Sequence, residues 1–202
     1  FILLDDGVAT LKSDAYSDFS RFSRFSRFSI FDMINHGDSQ RNKFIYIASM
    51  IKKKVTKKKV NLIIGSKFVE VGICSLDDYL SALESMLSHV KCEEVIYIPH
   101  RGESKENILL YGRKFGFEVL ENKLPVELFG LEYGYQLNKV VSIVSTALFS
   151  MPLIYERTKF YAFVINEKIL MKRKIAILNL YGSILDASRV EAIYDEKSIG
   201  CK

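Results

Sequence analysis

The residues from about 60 onward predict an α/β fold, a parallel sheet covered by helices on both faces, as in half of a doubly wound protein. Three observations carry this. Short runs rich in Val and Ile recur, several of them ended by Gly or Pro. Between them, apolar residues repeat at i, i+3 and i+4, the spacing of an amphipathic helix. Candidate chemical groups also gather just past the strands' carboxyl ends, where open α/β sheets hold ligands.

The elements follow in order. "VNLIIG" reads as a buried strand closed by Gly65. "SLDDYLSALESMLSHV" is a helix whose Leu76, Tyr79, Leu80, Leu83, Met86, Leu87 and Val90 share one face. Ser75 is its expected N-cap, and Asp77 and Asp78 complement the dipole of the first turn. The strand "EVIYI" runs into Pro99-His100-Arg101-Gly102; proline lacks a backbone donor and belongs at a strand's end. Then come a helix, "SKENILLYGRKF", stopped by Gly116, and the strand "FEVLE". A short helical segment, "PVELFGLEYG", precedes the strand "KVVSIV". A helix then starts near Ser145, "FYAFVI" is one more strand, and "SILDASRVEAIYDE" reads as a helix.

The first forty residues stand outside this alternation. "FILL" is a strand running into Asp5-Asp6-Gly7, and "FSRFSRFSRFS" repeats a triplet from Phe19. On an α-helix such a triplet drifts by about 60° per repeat, so its phenylalanines would spiral rather than line a stripe. The repeat is either an element suited to an anionic surface or an expanded tandem repeat in a tolerant linker. "KKKVTKKK" packs six lysines into residues 52–59. That run is a solvated loop or helix end, or a contact for acidic lipid headgroups.

Composition sets the outer bounds. The 202 residues, 49% hydrophobic, suffice for one ordinary core, and a net charge of +5 favours anionic partners without selecting one. Cys74, Cys92 and Cys201 form no C-x-x-C pair and no metal-ligand spacing, which fits reduced thiols in a cytosolic compartment. The longest uncharged run, 140–155, is short for a membrane span and carries four Ser/Thr hydroxyls and a proline.

Four features fall at loop ends: Asp5-Asp6-Gly7, Pro99-His100-Arg101, Pro125-Val126-Glu127, and Ser142 to Thr146. Ser145 and Thr146 sit where a strand feeds a helix, whose first N–H groups can bind phosphate or simply be capped. Glu127 could accept hydrogen bonds from two ribose hydroxyls, or serve as a first-turn acid stabilised by the helix dipole. His100 could offset charge on a phosphate leaving group, or belong to a solvated turn. Asp5 or Asp6 could take a proton from a hydroxyl nucleophile, or merely shape a turn before glycine.

Taken in order, "DDG" at 5–7, "IPHRGESKE" at 98–106 and "SIVSTAL" at 142–148 resemble the motifs of the bacterial sialyltransferases of glycosyltransferase family 52 and the related polysialyltransferase-like family. "IIGSKFVEVGI" and "LPVELFGLE" are similar to that family as well, so the resemblance spans roughly residues 60–165 plus the acidic motif. It implies a GT-B architecture, of which this chain is the C-terminal, Rossmann-like nucleotide-binding half. It also implies inverting, metal-independent and cofactor-free transfer of sialic acid from CMP-sialic acid to a sugar hydroxyl of a cell-surface glycan such as lipooligosaccharide or capsule. By position, Asp5 or Asp6 supplies the base, with Asp5 slightly favoured; adjacent strand residues face opposite ways, so one of the pair reaches the cleft. His100 meets the CMP phosphate as acid or electrostatic stabiliser, Glu127 holds the ribose, and Ser145 and Thr146 hold the phosphate. Arg101 stands where the family commonly has proline, and either adds positive charge near the phosphate or faces solvent.

The expected organisation is therefore 1–40, the end of an absent N-terminal domain plus linker; 41–165, the CMP-sugar-binding domain; and 166–202, C-terminal helices. Expected partners are the sugar-nucleotide donor, a glycan acceptor, an anionic membrane surface and a second copy of the chain. The expected location is cytoplasmic, peripheral on the inner membrane. The competing reading is a non-catalytic nucleotide-binding or assembly module of GT-B type. Nucleic-acid binding rests on charge alone and lacks a recognition motif.

Overall fold

The computed structural model describes residues 2–4, 26–29, 39–41, 44–55, 58–91, 93–187 and 189–194. Asp5, Asp6, Cys92, Cys201 and the first part of the Phe-Ser-Arg repeat lie outside the described residues. Strands β1 (Ile2–Leu4), β2 (Ser26–Ser29) and β3 (Ser39–Arg41) pair in parallel, in that order. The last residues of the repeat, Ser26–Ser29, form β2.

The second sheet has six strands, all parallel, in the order β6-β5-β4-β7-β8-β9. They are β4 (Lys59–Ile64), β5 (Val95–Ile98), β6 (Glu118–Val119), β7 (Gln136–Ser142), β8 (Lys159–Val164) and β9 (Val190–Tyr194). Helices α1 (Ile45–Lys54), α2 (Leu76–Val90), α3 (Lys105–Phe115), α4 (Phe129–Tyr133), α5 (Ala147–Ile154) and α6 (Lys174–Ala187) surround it. From β4 the chain winds outward through β5 and β6, then returns to β7 and winds the other way. The right-handed rule for parallel crossovers assigns α2 and α3 to one face and α5 and α6 to the other; α1 and α4 pack with each other and α1 also with α5.

Local signals explain the helix ends. The Ser75 and Ser104 hydroxyls accept the amides of Asp78 and Asn107 as N-caps. Gly116 ends α3 in the left-handed region, at φ 69°. Central β4 is buried from Val60 to Ile64, Asn61 included. The β4–β7 register shifts at Val60/Asn61, and the Asn61 side chain takes up the resulting loose ends. Its Oδ1 accepts the Lys139 amide and Asn138 Nδ2, and its Nδ2 donates to the Val90 carbonyl.

One element differs in kind from expectation. The stretch read as a final helix is the end of α6 followed by β9, so 166–202 is not helical throughout and the sheet runs on past residue 165. Val190 is buried against the core, and the ladder with β8 runs from Phe160↔Val190 to Val164↔Tyr194. That long-range pairing outweighs local helix preference.

Candidate functional site at the switch point of the sheet

Strands β5 and β7 flank β4, and Ile64 pairs with both Ile98 and Ser142, so the three carboxyl ends are level. The winding direction reverses between β4 and β7, which opens a crevice there. The loops bordering it carry His100 and Arg101 after β5, and Ser145 and Thr146 after β7. Two strand spacings separate these loops, about 10 Å, a span suited to a sugar and phosphate.

His100 is half-buried, and its Nδ1 accepts the Gly102 amide at 2.9 Å. The ring proton of the neutral imidazole therefore sits on Nε2, ready to be donated. Partial burial, and then the charges of Lys67 and Arg101, hold its pKa below the ordinary 6.5, so it is neutral at pH 7. Arg101 is exposed. Lys67, on the loop after β4, runs its stem across Gly102: a Cβ there would lie 3.1 Å from Lys67 Cδ. Sequence reasoning passed over Lys67; its signal is its place three residues beyond the end of β4.

The His100 loop is held by a residue also passed over. Glu103 is buried; its Oε2 accepts the His100 amide and its Oε1 accepts the Tyr97 hydroxyl. The Tyr97 hydroxyl lies 3.3 Å from that of Tyr79 on α2, which accepts the Ser66 amide at 2.9 Å. A hydrogen-bonded chain thus ties the loop after β4 to the loop after β5. Gly65 must be glycine: a Cβ would come within 2.3 Å of both Glu103 Oε2 and Tyr97 Oη. Burial above all raises the Glu103 pKa to about 7, only partly offset by its hydrogen bonds with Tyr97 and the His100 amide. Glu70 Oε1 accepts the Ser104 amide and Asn107 Nδ2, both at 2.9 Å, and so fastens the start of α3.

On the other side, Ser145 Oγ accepts the Ala147 amide at 3.2 Å, while Thr146 is exposed and makes no capping bond. The expectation of free amides at this helix start is corrected. Leu148 N–H goes to Ser145 O and Phe149 N–H to Thr146 O, so a phosphate meets hydroxyls there rather than those amides. Glu127 is half-buried in a single 3-10 turn, Val126–Leu128, on the crossing from β6 to β7. Its Oε1 accepts the Ser150 hydroxyl from α5 at 2.6 Å, which fixes its direction beside the Ser145–Thr146 corner.

A cleft of about 400 Å³ opens at the opposite edge of the sheet, between the end of α1 and the starts of β7 and β8. Ile51, Val55, Leu137 and Ile154 are among its lining residues, and the Lys52–Glu156 pair sits at its mouth. It holds none of the predicted site residues, and open α/β sheets bind nucleotides at the other edge. Cys74 is buried, and burial chiefly pushes its thiol up to about 12, away from reactive thiolate chemistry. Among the described residues, no three His, Cys, Asp or Glu side chains gather to hold a metal, and no helix is long and apolar enough to cross a membrane. No protein-family model matches the chain, and no curated protein matches it significantly.

Proposed function

We propose that the chain binds CMP-sialic acid in the crevice between β4 and β7 and serves inverting, metal-independent transfer of the sialic acid to a sugar hydroxyl. What supports this most is the strand order. It reverses at β4/β7, and the His100 loop and the Ser145–Thr146 corner border that reversal. In this reading His100 donates from Nε2 to the phosphate, with Lys67 and Arg101 adding positive charge. The hydroxyls of Ser145 and Thr146 take further phosphate oxygens, and Glu127 accepts the ribose hydroxyls. Asp5 or Asp6 removes the acceptor's hydroxyl proton as that oxygen bonds the anomeric carbon, and CMP departs with the electron pair of the broken C–O bond.

Calorimetry with CMP in the presence of EDTA tests the donor half of this proposal. CMP should bind, and Glu127→Ala should weaken it by roughly ten- to a hundredfold, as for a lost hydrogen bond to a charged group. A folded protein that ignores CMP overturns the proposal. Binding of CMP-sialic acid without transfer to any sugar acceptor would favour the non-catalytic nucleotide-binding module instead.

A further inference from the structure

Helix α1 has an outer stripe that the core does not use. Ala48 and Ile51 are buried, whereas Ile45 is 71% exposed, Tyr46 76% and Met50 39%. Residues 45, 46, 49, 50 and 53 are three or four apart, so they share one side of the helix. The helix ends on Lys52, Lys53 and Lys54, and Lys58 and Lys59 follow at the start of β4. Lys52 pairs with Glu156 and Lys58 with Glu94, while Lys53, Lys54 and Lys59 are exposed.

This is a row of large apolar side chains running into a cationic cluster. Nucleic acid would answer the lysines but leave Ile45 and Met50 in water. An acidic protein surface would do the same. An anionic bilayer answers both: lysines lie against headgroups, while aliphatic side chains and the amphipathic tyrosine sink into the interface. We propose that the outer face of α1 docks on an anionic lipid bilayer, with Ile45, Tyr46 and Met50 inserted and Lys53, Lys54 and Lys59 against the headgroups. The inference is independent of the reaction proposed above.

The chain has no tryptophan, so Tyr46→Trp places a single reporter at an exposed position that the fold does not depend on. Its emission should shift to the blue, and be quenched by brominated lipid, on vesicles of phosphatidylcholine with phosphatidylglycerol but not on phosphatidylcholine alone. In vesicle sedimentation, Lys→Gln changes at 53, 54 and 59 should each weaken binding about fivefold, and salt should weaken it too. Ile45→Ser with Met50→Ser should weaken binding while leaving its salt dependence in place. No binding to the anionic vesicles overturns the proposal. So does binding without the blue shift, since contact then lies elsewhere, and so does a preference for duplex nucleic acid over vesicles.

Discussion

Glu103 shows how much one residue's chemistry owes to its surroundings. When it is ionised, the Tyr97 hydroxyl donates to it, that of Tyr79 can donate to Tyr97, and the Ser66 amide donates to Tyr79, all directed toward the charge. When it is protonated, the hydroxyls can reverse: the carboxyl donates to Tyr97, Tyr97 to Tyr79, and Tyr79 to Ser66 Oγ, 3.5 Å away. The fold therefore accepts both forms, and burial favours the neutral one. Its pKa rises from an ordinary 4.5 to about 7, so the folded state keeps the proton to higher pH than the unfolded chain does. That stabilisation is fully present below the unfolded value and is lost as pH rises through the folded one. It amounts to about 3 kcal/mol over the whole window. Urea unfolding at about pH 5 and about pH 8 should show this loss in the wild type but a flatter response in Glu103→Gln, whose amide copies the protonated carboxyl. Equal slopes would mean that Glu103 is already ionised at the lower pH. His100 was legible in the sequence because Pro99 marks the strand end beside it. Glu103 was not, because Gly65 and Tyr79, which bury it, come from other elements.

At the scale of elements, what is written locally could be read locally. Ser75, Ser104 and Gly116 act within one turn of their helices, and α2 starts after Ser75 and α3 stops at Gly116 as those two residues predict. Pairing with a distant strand leaves a weaker trace. "FEVLE" pairs only over Glu118–Val119, at one edge of the sheet, and β9, at the other edge, hides in a stretch that reads as helix. The crossing from β6 to β7 is pinned from outside as well. The Tyr155 hydroxyl, just past α5, accepts the Gly130 amide at 2.9 Å and donates to the Glu127 carbonyl at 3.0 Å. Ile51 closes over Gly130 from α1, so close that a Cβ there would lie 2.9 Å from its Cγ2. Tyr155→Phe would strand one amide and one carbonyl, and should destabilise the protein by about 1–3 kcal/mol in denaturant unfolding. Unchanged stability would show that solvent takes over both bonds.

For the molecule as a whole, alternation of strands and helices predicts a parallel sheet but not the order of its strands. The order matters most for function, since it decides which loops face one another. Because β7 returns to the side of β4 that β5 leaves free, loops some forty residues apart in sequence come to border one crevice. The cleft at the opposite edge is the rival location for a ligand, and the two make different predictions for hydrogen exchange. If CMP occupies the crevice, it should slow exchange in the loops after β4, β5 and β7, at 65–75, 99–104 and 143–149, and leave α6 and β9 unaffected. If it occupies the cleft, protection should instead fall at 135–137 and 154–158, which line it. Glu127 alone cannot separate these outcomes, because Tyr155 ties its backbone toward the cleft while Ser150 ties its carboxylate toward the crevice. The loop after β5 can: it shares no residue with the cleft, so slowed exchange at His100 to Glu103 would place CMP at the switch point. Unchanged exchange there, with protection at 154–158, would overturn the proposed site.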